Sequence, residues 1–213
     1  MSDPRITVGD TDLTLGSESQ PTSIKGSKRG EMFVMDFYSR MLFQGRVFNV
    51  RAGTISVPLV GNVPITDTAA EMATSAVLGT TIIPVSTNIS YNLAAGTLFE
   101  NGGKAVGAIH TAGAAFVALP LKFGGSAATT TSAVAATAGT VTVAAEAVTT
   151  TRRLWSWAQP IAAGAWPTWY DWKPKVPALL TGPSCYYVQI GGTTTGPSYF
   201  ASYDFIELPT ANV

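Results

Sequence analysis

The stretch "SCYYVQIGGTTTGPSYFASYDFIELP", Ser184 to Pro209, decides the fold class. Two runs rich in Tyr, Val, Ile and Phe, "SCYYVQIGG" and "SYFASYDFIELP", flank a Thr-rich turn closed by Gly196 and Pro197. Aromatic and β-branched side chains fit the pleated surface of a strand, and Gly and Pro punctuate the turns between strands. The same grammar recurs upstream in "MFVMDFY" from Met32, then "RVFNV", "GTISVPLV", "TTIIPVSTNISYNL", "TLFE", "KAVGAIH", "AAFVALPLKF", "TVTVAAEAV" and "RRLWSWAQPI". Short strands at this spacing, without alternating helices, predict an all-β fold of antiparallel strands, a sandwich or a barrel.

Local signals refine the expectation. Asn101-Gly102 in "ENGGK" (Glu100 to Lys104) tolerates positive φ and predicts a hairpin between two strands. Pro58, Pro84 and Pro120 interrupt otherwise good strands and predict edges, bulges or strand ends. One stretch argues for a helix against a loop or strand: in "DTAAEMATSAVL", Ala69, Met72, Ala73, Ala76 and Val77 recur at helical spacing, and Thr68 with Glu71 fits a capping box. The Ala/Thr/Val tract Ser126 to Thr151 alternates weakly about Ala138-Gly139, as in a poorly packed hairpin on the rim or a solvated loop.

At 22.2 kDa the chain suits one domain with a sizeable core. Residues 1–31 are polar and broken by Gly, Ser and Pro, and are expected to form an N-terminal arm preceding a sandwich domain over 32–213. The arm's basic residues include Lys25, Lys28 and Arg29, but acidic residues offset them, so strong direct binding to nucleic acid is not expected. Formal net charge is zero and 12% of residues are charged, about half the usual share. Between Ala52 and Thr151 the charged residues are Asp67, Glu71, Glu100, Lys104, Lys122 and Glu146, so Thr, Ser, Ala and Gly must cover that part. A neutral, charge-poor surface favours association with further copies, the alternative being a neutral monomer. The N-terminal sequence lacks a basic segment followed by an apolar run, and no apolar run approaches a membrane span, so synthesis and assembly in the cytoplasm are expected.

Catalytic patterns are missing. His110 is the single histidine and Cys185 the single cysteine, too few soft ligands for a zinc or other transition-metal cluster, and both are expected to be structural. There is no nucleophile elbow, Walker loop or dinucleotide-binding glycine motif. Asp171, Asp204 and Glu207 leave a carboxylate-pair hydrolase as the one catalytic option. Asp204 and Glu207, three apart on a strand, would face opposite sides. Neither an enzyme nor a cofactor is expected.

All five tryptophans lie between Trp155 and Trp172. On an extended "RRLWSWAQP", Trp155 and Trp157 share one face, which is expected to be core together with Tyr203 and Phe205. Trp166, Trp169 and Trp172 recur every third residue in a stretch that also holds Pro167 and Pro174, which predicts a loop or a 3₁₀-like turn and a subunit contact. Arg152 and Arg153 beside them could stack on the indoles or pair across subunits. The competing expectation is a glycan-binding platform, with Gln159, Asp171 and Lys173 as polar partners.

The order from Arg152 onward resembles the closing strands of jelly-roll virion proteins. An aromatic strand is followed by a Pro/Trp loop, "PKVPALLTGPSCYYVQIGG", a Thr-rich turn, and "SYFASYDFIELP" ending at Pro209. The likeness covers roughly the last third of the chain and rests on residue types. It implies a single jelly roll acting as a capsid or other particle protein of a virus or bacteriophage, localised in the virion. Its partners would be itself and other virion proteins, with the N-terminal segment as assembly arm. Coat proteins that condense an RNA genome often carry a strongly basic arm, which this chain lacks. That departure favours a shell, decoration or appendage subunit. A fibre or spike adhesin that binds a host glycan is the alternative.

Overall fold

The computed structural model describes residues 36–92, 98–136, 140–160, 168–193 and 196–212. The expected arm, with Lys25, Lys28 and Arg29, lies outside the described residues, as does Trp166. A short helix, α1 (Phe37–Phe43), precedes the principal strands β1 (Val47–Ala52), β2 (Met72–Ala76), β3 (Thr80–Asn92), β4 (Leu98–Val106), β5 (Arg152–Pro160), β6 (Thr168–Trp172), β7 (Ser184–Gly192) and β8 (Ser198–Pro209).

Two antiparallel sheets face one another. The first has the order β6-β3-β8-β1 and is extended beyond β1 by Leu119–Pro120; the second has the order β5-β4-β7-β2 and is extended by Thr131–Val134 and then Ala114–Phe116. Successive strands β1, β2, β3 and β4 alternate between sheets, β4 and β5 are neighbours, and β6, β7 and β8 alternate again. The first strand therefore lies beside the last.

Alternation along β8 makes the core. Tyr199, Ala201, Tyr203 and Phe205 are buried while Phe200, Ser202 and Asp204 between them are half-exposed. They meet Val50, Ile82 and Ile89 from their own sheet and Met72, Tyr186, Val188 and Ile190 from the other in one cluster. Each large apolar side chain buried this way contributes about 1.5–3 kcal/mol. Tyr203 meets Tyr186 edge-on at 5.1 Å, and Phe205 stacks on Phe48 at 5.7 Å. Two of the buried hydroxyls find partners, Tyr203 with Thr74 and Tyr186 with Thr87 at 2.8 Å, whereas those of Tyr187 and Tyr199 have none among the described residues.

Each sheet is also covered in part on its outer face. Helix α1 packs Met41, Tyr38 and Leu42 on Val47, Ile83, Val85, Ile206 and Leu208. Val141 and Val143 cover Ala73, Cys185 and Tyr187 on the second sheet. Strand β7 is consequently buried along its whole length.

Several sequence expectations are corrected. "MFVMDFY" does not continue as a strand at its C-terminal end, because Phe37 and Tyr38 open α1. Asp36 caps that helix by accepting from the Ser39 amide at 3.0 Å. At the other end Gly45, at φ 71, donates to the Leu42 carbonyl while Arg46 donates to Met41. Two good caps outweigh the strand preference of two aromatics. "DTAAEMATSAVL" is not a helix but strands Ala69–Ala70 and β2, and Glu71, instead of capping, accepts from the Asn62 and Ile190 amides. Pairing with β7 on one side and Thr131–Val134 on the other decides that segment. No hairpin forms at Asn101-Gly102: β4 runs straight through, paired with β5 and β7 on its two edges. The Ser126–Thr151 tract is no rim hairpin, since Thr131–Val134 pairs with β2 while Val141–Thr142 pairs with Ala69–Ala70. Val141, Val143 and Ala144 of the tract are small enough to pack closely over the second sheet.

The proline expectations hold. Pro120 ends the outermost strand of the first sheet, and Pro58 precedes the short strand Leu59–Val60. Pro84 sits where the β3–β8 register shifts, between the segments of β3 that pair with Leu180–Thr181 and with β6, so no ladder bond needs its missing amide hydrogen.

Candidate assembly surfaces

Strands β5 and β6 are the terminal strands of their sheets, so both lie on the same side of the sandwich. Between them the aromatic side chains stack. Trp155 lies 5.2 Å from Tyr170 and 5.9 Å from Trp172, and Trp157 lies 5.5 Å from Tyr170 and 5.9 Å from Tyr91. Trp155 is 6% exposed and its indole N–H donates to the Tyr186 hydroxyl at 3.1 Å. Burial pushes the Tyr186 phenol up to about 12, so it stays a neutral partner. Trp157 and Trp172 are half-buried against the same core.

The expected loop around Trp169 and Trp172 is a strand. On β6 the alternation turns Tyr170 and Trp172 inward and leaves Trp169 75% exposed beside exposed Asp171. The spacing of three that argued for a turn is overridden by pairing with β3 over Thr87–Tyr91. Of the two arginines, Arg153 pairs with Glu146 at 2.9 Å on the surface and Arg152 is exposed. Tyr203 and Phe205 are fully buried, in the core where the sequence placed them.

A second exposed surface was not anticipated. Along Val117 to Phe123 the large residues Val117, Leu119, Leu121 and Phe123 are exposed, while Ala118 between them is buried. The segment crosses from the second sheet at Ala114–Phe116 to the first at Leu119–Pro120, and Leu121 donates to the Val47 carbonyl. Phe43, at the end of α1, is exposed as well. The period-two pattern was visible in "AAFVALPLKF", but a strand pattern alone leaves open which of its faces is covered.

The titratable side chains of Cys185, His110, Asp204 and Glu207 are held within the fold by burial and hydrogen bonds. Cys185 is buried and its thiol is pushed up to about 12 by that burial. His110 holds Ser75 through Nδ1 at 2.7 Å and its own amide at 2.9 Å, and burial lowers its pKa. Asp204 accepts from Asn49 and Ser86, whereas buried Glu207 accepts from Thr129 and Thr130, so the two carboxylates face opposite sides of β8. Among the described residues no three metal-ligating side chains converge, and no helix is long and apolar enough to cross a membrane. No family model, no curated protein and no solved structure matches the chain.

Proposed function

We propose that this chain is a virion structural protein: a single jelly roll that self-assembles into a shell, or decorates one, with other virion proteins as further partners. The strand order carries the reading. Sheets β1-β8-β3-β6 and β2-β7-β4-β5, with the first strand beside the last, support the double Greek-key reading. A charge-poor composition and the exposed row Val117, Leu119, Leu121 and Phe123 support association, because apolar area left in water favours contact with another copy. Light scattering on chromatographed protein over a range of concentrations tests it. Multi-copy particles are expected for the wild type, with a shift to smaller species for Phe123→Ser together with Leu121→Ser at an unchanged unfolding midpoint. A wild type that stays monomeric at every concentration refutes the proposal.

The glycan-adhesin reading keeps one observation in its favour, the exposed Trp169 ring beside Asp171. Trp155, Trp157 and Trp172 lend it less support, because Trp155 packs on Tyr170 and Trp172, and Trp157 on Tyr170 and Tyr91, against the core. A glycan array probed with wild type and Trp169→Ala separates the two, since the shell reading expects no specific signal that Trp169 controls.

A further inference from the structure

A cleft of about 470 Å³ opens where α1 ends against the loop that follows Leu119–Pro120. Its lining includes Gln44, Arg46, Phe48, Lys122, Ser126 and Glu207. We propose that this cleft binds a small ligand through an oxyanion group, a phosphate or a carboxylate.

In a chain this poor in ionic residues, two cations line one cleft, and among the described residues neither Arg46 nor Lys122 has an ion-pair partner. The one carboxylate present does not neutralise them. Glu207 is 3% exposed, and its oxygens accept from the Thr129 amide at 3.0 Å, the Thr129 hydroxyl at 2.6 Å and the Thr130 amide at 2.8 Å. Its oxygens are thus occupied by donors of the loop and pair with neither cation. Arg46 is only half-exposed, and a guanidinium partly withdrawn from water without a counter-ion is strongly drawn to an oxyanion that fits its fork.

The loop adds neutral donors. Lys122 to Gly125 form a turn, closed by the Gly125 amide donating to the Lys122 carbonyl at 2.9 Å with Gly124 at φ 76. The amides of Gly124, Ser126 and Ala127 have no protein acceptor among the described residues. The lysine stem passes beside the helix end, where a Cβ added at Gly45 would meet Lys122 Cδ at 3.5 Å. Buried Phe48 lines the cleft as an apolar element. Two cations, free amides and one aromatic side chain line the cleft, and its volume falls in the range that small-molecule sites occupy.

The test is a titration of the full chain with inorganic phosphate and, in parallel, with citrate, at constant ionic strength held by chloride, following the unfolding midpoint. The expected result is a saturable rise with at least one of the two anions, and which one responds identifies the head group. Lys122→Ala, at an exposed position, is expected to weaken binding on the order of tenfold or more, and Arg46→Gln to do the same. Lys173→Ala, on the far edge beyond β6, is expected to leave it intact. The proposal is overturned if neither anion exceeds chloride, or if the rise persists undiminished in Lys122→Ala. It is also overturned if a short single-stranded oligonucleotide binds through Lys122 where neither small anion does, which would make the cleft a nucleic-acid contact.

Discussion

Replacing Trp155 by Ala removes an indole that is 6% exposed, stacks on Tyr170 and donates to Tyr186, and the expected cost is about 3–5 kcal/mol. Trp169→Ala, at 75% exposure, is expected to change stability by less than about 0.5 kcal/mol. Urea titrations of the two variants check the contrast, and equal losses would contradict the inward stack. His110 gives a pH signature. Burial lowers its pKa from the usual 6.5, so the unfolded chain takes up the proton before the folded one. The contribution of this neutral ring is present above pH 6.5 and is lost as pH falls through 6.5 towards the lower folded value. The wild-type unfolding midpoint should therefore drop more steeply than that of His110→Gln across this window, and parallel profiles would refute it. Cys185, with its thiol pushed up to about 12, should react with a thiol reagent only once the protein unfolds.

The ends of α1 and the tight approach of β2's exit to the β7 entry are where single elements can be broken. Gly45 adopts φ 71 to turn the chain out of the helix, so Gly45→Ala is expected to cost about 1–2 kcal/mol without altering either sheet. Gly182→Ala is expected to be worse, because its Cβ would lie 2.0 Å from the Val77 carbonyl oxygen, a contact only a backbone shift can relieve. Thermal unfolding of both variants checks the order. The strands were legible where residue type and period agree, as along β8, where alternate positions are buried as a sandwich requires. Legibility failed where a non-local partner decides. Asn101-Gly102 is a good turn signal in isolation, but β4 is held between β5 and β7 and stays extended. Helical spacing in "DTAAEMATSAVL" lost to the same effect, because β2 has a partner on each edge. The tryptophans were half legible: the shared face of Trp155 and Trp157 follows from strand period, whereas the inward turn of Trp172 needs the pairing of β6 with β3.

For the whole molecule, the strand order and the distribution of apolar surface bear on the proposed role together. Large apolar side chains stand in water at Val117, Leu119, Leu121 and Phe123, while small alanines and valines are packed over the second sheet. A free monomer gains nothing from that arrangement, and contact with another copy removes the exposed area from water. The N-terminal segment belongs to the same scale. Its polar composition cannot build a core, so deletion of residues 1–28 is expected to leave a cooperatively folding domain and to impair assembly, read by calorimetry and light scattering. Undiminished assembly by the shortened chain would remove the arm from the account. The most direct test of the central claim is an electron micrograph of the purified native protein: the account predicts multi-copy particles, a closed shell or a regular appendage, and a field of isolated monomers at every concentration would contradict it.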